Sequence, residues 1–192
     1  MALLALTLIG AALLSPLAAR AQGAAPLSVK PIPLPPERNP PGDIPDTQVF
    51  VDFHSPLGFS VKVPEGWARR DAPDGVTFTS VYDGVAVQIS HAAKAPTLKS
   101  VKREQAAALE KSPAAVRIGR VAEVQLPAGR AVLISFASNS EPNSVTGKAI
   151  RLESDQYLIW KDGRVATLTL SAPFGADNAD QWRLMARSFR WQ

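Results

Sequence analysis

The chain has 192 residues, a formal net charge of +4, 17 prolines, no cysteine and two histidines. The lack of cysteine excludes disulfides, thiolate metal sites and cysteine nucleophiles. The positive charges are dispersed rather than gathered on one face, which argues against a nucleic-acid partner.

The first segment, residues 1–21, is expected to be a signal peptide. An apolar run from Ala2 to Leu14 is broken at Ser15-Pro16, and Ala19-Arg20-Ala21 offers small residues for cleavage before Gln22. The run falls short of the roughly 20 apolar residues that cross a bilayer. No cysteine stands near the cut to carry a lipid, so the mature chain is expected to be soluble, in the periplasm or secreted, and not membrane-spanning. Residues 22–47 form a Pro-rich leader, expected to be an exposed spacer with polyproline II character. Within it "PLPPER", Pro33 to Arg38, has the spacing of an SH3-type ligand, although composition favours the plain spacer.

Residues 48–192 are expected to form one domain. Val49–Phe53 and Phe59–Val63 are predicted strands joined by "SPLG", and the second places Phe59, Val61 and Val63 on one face. Pro64 stops it, Gly66 permits a turn, and Trp67 is expected to pack back. Val76–Val81 and Val85–Ser90 are predicted to pair around "YDG". Thr97 is the predicted N-cap of a helix with Leu98, Val101, Ala108 and Leu109 as its apolar stripe, ended by Ser112-Pro113.

A long strand follows, with Val116, Ile118, Ala122, Val124 and Leu126 expected on one face. "LPAGR" turns the chain into Ala131–Ala137. Ser138 to Gly147 is polar and turn-rich, the longest loop of the domain. Lys148–Trp160 is expected to be interrupted near Ser154-Asp155 by a bulge or break. "KDGR" makes a tight hairpin into Val165–Ser171, taken as the last strand. A helix from about Asp180 aligns Trp182, Met185, Ala186 and Phe189 on one stripe, with Asn178 or Asp180 as its cap. Tight hairpins imply antiparallel pairing, and two amphipathic helices then cover the sheet, giving an α+β domain.

In this order, "LGFSVKVPEGW" (Leu57 to Trp67), "GRAVLISF", "DQYLIWKDGRVATLTLSAP" and "WRLMARSFRW" (Trp182 to Trp191) resemble the PsbP-like group. That group includes PsbP, the Mog-type proteins and exported bacterial proteins of the LpqN kind. The resemblance implies an antiparallel sheet between helices, an α/β/α sandwich. It implies little about activity: the better-understood members dock on protein partners, many bacterial members have no assigned role, and no family-wide catalytic motif carries over; no cofactor is expected.

The candidate chemistry is sparse. His54 and His91 are the only imidazoles, and Asp52 with His54 could offer two metal ligands on one strand face, too few for a specific site. A hydrolase using His54 or His91 with a serine lacks any Gly-x-Ser-x-Gly elbow, and Ser135 and Ser171 look like plain strand residues. Glu104/Glu110 and Asp177/Asp180 look like solvated or capping groups. Trp67 and Trp182 are expected to pack helix on sheet, with Trp160 and Trp191 more open. The leading expectation is an exported accessory protein that docks an envelope or secreted partner through the Ser138–Gly147 loop. Its contact residues are expected to be Asn139, Glu141, Asn143 and Trp160. A hydrolase and a small apolar ligand carrier are the alternatives, and His54 and His91 are the residues to test.

Overall fold

The computed structural model describes residues 31–36 and 41–192, so the expected signal peptide lies outside the described residues. Two antiparallel sheets and two helices form an α+β sandwich. The small sheet joins β1 (Phe50–Ser55), β2 (Phe59–Pro64) and β10 (Arg190–Trp191).

The large sheet has seven strands in the order β3-β4-β5-β9-β8-β7-β6. They are β3 (Ala68–Ala72), β4 (Gly75–Thr79), β5 (Gly84–His91), β6 (Arg117–Leu126), β7 (Gly129–Asn139), β8 (Arg151–Lys161) and β9 (Arg164–Pro173). Between β5 and β6 runs helix α1, which comprises Leu98–Val101, a π turn Lys102–Ala106 and Ala107–Glu110. Helix α2 is Ala179–Ser188.

Alternation along the strands makes two separate cores. One face of the large sheet gives Val76, Phe78, Val85, Val87, Leu133, Tyr157, Ile159, Leu168 and Leu170 to a core shared with the small sheet and α2. Phe59 and Phe189 stack at its centre with ring centroids 5.6 Å apart, and both are fully buried. Each contributes about 1.5–3 kcal/mol through removal from water. On the opposite face Val132, Ile134, Leu158 and Val165 pack under Val101 and Ala106 of α1.

Several elements match the sequence reading. Thr97 caps α1 in a reciprocal box with Ser100, whose N–H donates to Thr97 Oγ1 at 3.1 Å. Met185, Ala186 and Phe189 are buried, and Trp182 packs at the edge of the same core. Asp162 and Gly163 both take positive φ in the "KDGR" hairpin, as a type I′ turn needs.

Other elements differ, each for a local reason. The stripe of α1 keeps Leu98, Val101 and Leu109 as expected, but takes Ala106, five residues from Val101, in place of Ala108, which is exposed. The π turn inserts the extra residue that brings an i+5 pair onto one face. In β6 the pairing register shifts between Ile118 and Arg120. Ile118 therefore packs toward α1 whereas Val124 and Leu126 face the other core, so the expected single face is split by a bulge.

Strand β8 has no break at Ser154-Asp155, because both residues stay in register with β7 and β9. The turn between β4 and β5 spans residues 80–83, with Ser80 N donating to Asp83 O at 3.0 Å, so β4 ends before Val81. Strand β3 went unforeseen: all five of its residues are exposed on the sheet edge and show no alternation. Strand β10 closes the small sheet after the strand expected to be last.

The later part of the leader lies on the domain rather than standing off it. Ile44 is buried in the larger core, and its N–H donates to Asn178 Oδ1 at 2.7 Å. Asn178 occupies the N-cap position of α2 without a capping bond of its own.

Candidate functional site

Two concave regions stand at the same end of the large sheet. The first is a groove of about 520 Å³ between the loop after β7 and the turn after β4. Glu141 and Asn143 line it together with Pro41, Val81, Tyr82 and Leu152. Asn143 orders the loop, since its Oδ1 accepts from Val145 N at 3.0 Å and Thr146 N at 2.9 Å. Large apolar side chains face water around the groove: Val81 is 85% exposed, Tyr82 46% and Val145 90%.

The other expected contact residues fall elsewhere. Asn139 ends β7, and its amide engages the leader, accepting from Leu34 N at 3.0 Å and donating to Ile32 O at 2.9 Å. Trp160 sits nine residues along β8 from Arg151, the cross-strand partner of Asn139, which is about 30 Å at strand rise. Its indole N–H donates to Ala92 O at 2.9 Å, and its ring packs beside the α1 core.

The second region is a cleft of about 450 Å³ between the start of α2 and the β6–β8 face. Arg120, Glu153, Asp155, Tyr157, Trp182 and Arg183 line it. Asp155 accepts from Ser135 Oγ and, at 3.4 Å, from the Tyr157 hydroxyl. Burial, reinforced by the nearby Asp155 carboxylate, pushes the Tyr157 phenol up to about 12. Burial raises the Glu153 carboxyl as well, opposed by a bond from Gly175 N and aided by Asp155. Sequence reasoning missed this cleft because its lining comes from two strands far apart in the chain and from a helix. The one available signal was the polar pair Ser154-Asp155 in the middle of the strand, which had suggested a break.

The histidines do not reach that chemistry. His91 pairs with Arg164, and Arg164 pairs with Lys161, six residues along β8 from Asp155 or about 20 Å. His54 lies at that remote end too, its Nδ1 2.7 Å from Gln192 Nε2, while Gln192 N donates to Gly58 O and Arg164 to Leu57 O. Asp52 pairs instead with Lys62 at 3.0 Å. Among the described residues no group of three His, Cys, Asp or Glu side chains could hold a metal ion, and no helix is long and apolar enough to cross a membrane.

No family model and no curated protein matches the chain. Solved structures do. Cyanobacterial PsbP (CyanoP) from Synechocystis sp. PCC 6803 superposes with a TM-score of 0.55 at 13% identity, covering 79% of this chain and 98% of that one. A structure from Bacteroides thetaiotaomicron gives 0.49 at 11% identity over 73% and 48%. A protein of unknown function from Pseudomonas aeruginosa gives 0.43 at 14% over 70% and 91%. The likeness to CyanoP is one of fold: two antiparallel sheets flanked by helices in a PsbP-like α+β sandwich.

Proposed function

We propose that this chain is an exported, non-enzymatic accessory protein that docks a protein partner in the cell envelope or outside the cell. The docking surface is the groove between the 138–147 loop and the turn after β4. One observation carries the reading. Val81, Tyr82 and Val145 expose large apolar area beside a groove with a polar rim of Glu141 and Asn143. Apolar anchors ringed by polar groups are the usual anatomy of a protein interface.

The hydrolase alternative gains no observation, since Ser135 and Asp155 have no imidazole within reach. Asn139 and Trp160 lie outside this surface, the first bonded to the leader and the second packed beside the α1 core.

Photo-crosslinking tests the proposal. A photoreactive residue at Val81 or Val145 in the native host is expected to give a discrete adduct. The same residue at Lys102, on the exposed side of α1, is expected to give none. Tyr82→Ser with a shortened 138–147 loop is expected to abolish the adduct; an adduct that survives both changes sinks the proposal.

A further inference from the structure

The contact between Asn139 and the leader has the form of a peptide-binding clamp. Asn139 Oδ1 accepts from Leu34 N–H at 3.0 Å, and Asn139 Nδ2 donates to Ile32 C=O at 2.9 Å. One side-chain amide thus engages the C=O of one residue and the N–H of the second residue after it. The clamp is built rather than incidental. Arg151, 5% exposed, donates through Nη1 to Asn139 Oδ1 and to Ala115 O, both at 2.9 Å.

A guanidinium only donates, so Arg151 fixes which end of the amide is oxygen and polarises it for the leader. The backbone N–H of Asn139 is tied to Ala114 O at 2.6 Å. Beside the clamp, Pro31 lines a concavity of about 260 Å³ together with Ser112, Ala115 and Arg117, between α1 and the start of β6.

We infer that the Asn139–Arg151 clamp is a binding slot for an extended, proline-rich peptide, held in cis by the chain's own residues 31–36 and opened when that segment is displaced. The recognition is of backbone, because the Ile32 side chain remains 78% exposed. It carries a sequence rule. The first clamped residue supplies only a carbonyl and tolerates proline, while the third must supply an N–H and cannot be proline. Pro31-Ile32-Pro33-Leu34 satisfies the rule, and its prolines hold the segment extended at low entropic cost. Displacement by a partner's segment rests on the docking reading above; the slot and its cis occupant do not.

The test uses the full chain and a fluorescent peptide of sequence KPIPLPP, residues 30–36. Leu34→Pro in the chain removes the leader's N–H and frees the slot, whereas Ile32→Pro keeps the carbonyl and leaves it filled. Fluorescence anisotropy is expected to show the peptide binding the Leu34→Pro chain about tenfold or more tighter than the wild-type or Ile32→Pro chain, the worth of about one hydrogen bond. Adding Asn139→Ala to the Leu34→Pro chain is expected to weaken binding about tenfold.

A complementary measurement needs no change in the domain. Unlabelled peptide with proline at the Ile32 position is expected to compete, and peptide with proline at the Leu34 position is not. Equal binding by the wild-type and Leu34→Pro chains, or equal competition by the two peptides, overturns the inference. Neither result depends on the crosslink at Val81, so the two proposals fail separately.

Discussion

Replacing Asp83 by Asn tests how three parts of the chain are held together. Asp83 is 8% exposed in the turn after β4. Its carboxylate accepts from Ser80 Oγ at 2.9 Å and from Asn178 Nδ2 at 3.4 Å. Asn178 in turn grips Gly42 O and Ile44 N, so the turn, the leader and the start of α2 meet there.

Burial pushes the Asp83 carboxyl from 3.8 to about 6, only partly offset by the bonds from Ser80 and Asn178, and Asp43 adds repulsion. The folded state therefore holds its proton more tightly than the unfolded state. Stability from this group is complete below about pH 3.8, declines as pH rises through about 6, and is absent above that.

The full displacement corresponds to about 3 kcal/mol at most, and solvent screening around a turn reduces it to about 1–2 kcal/mol. Asparagine keeps the shape and carries no charge. It can accept from Asn178 through Oδ1 and donate to the Ser80 hydroxyl through its amide nitrogen. Melting curves of wild type and Asp83→Asn from pH 3.5 to pH 8 are therefore expected to diverge by about 3–6 °C in favour of Asn at the alkaline end. They are expected to converge at the acid end. A constant difference, or a wild type that gains on the variant as pH rises, would refute the reasoning.

Four further outcomes are expected. Deleting Arg103 turns the π turn into a regular helix and restores i+4 spacing between Val101 and Ala106, so the chain should keep a cooperative melt within about 3 °C of wild type. Gly75→Ala places a Cβ 2.4 Å from Val87 O on the neighbouring strand and should cost about 3 kcal/mol by denaturant titration. Trp160→Phe removes the bond to Ala92 O and should cost about 1 kcal/mol, with the Val81 crosslink unchanged. His54→Ala combined with His91→Ala should leave both partner crosslinking and the melt unaltered, since both rings are exposed at the end remote from Asp155; loss of either would reopen the histidines as functional.

What could be seen in the sequence depended on whether a residue's role was local. The cap at Thr97, the stripe Met185-Ala186-Phe189 and the Asp162-Gly163 hairpin are fixed by neighbours a few positions away, and each was legible. Gly119 was not, because a bulge shows only in the register with the facing strand. Strand β3 carries no apolar alternation, since an edge strand exposed throughout has no face to bury.

The site divides the same way. The 138–147 loop announced itself by length and polarity, but Val81 and Tyr82 join it only through the sheet's folding. Asn139 attracted notice as a loop residue. Its grip on Ile32 and Leu34 spans more than a hundred positions and leaves no local trace.

The strand order β3-β4-β5-β9-β8-β7-β6 has a bearing on how the chain folds. It is two meanders, β3 to β5 and β6 to β9, joined by short turns that form on a microsecond scale, except at the longer loop between β7 and β8. They meet along one seam, where Gly84–His91 pairs with Arg164–Ser171. Closing that seam means ordering the whole of α1 and the three strands β6 to β8 between, so loop closure is costliest there. Substitutions along the seam, such as at Val87 or Leu168, should chiefly slow folding, whereas those in the outer hairpins should chiefly hasten unfolding. Nascent chain released before β9 is complete presents β5 as an unpaired edge with buried-type residues Val85 and Val87 on one face, which makes that interval the time of greatest exposure to aggregation.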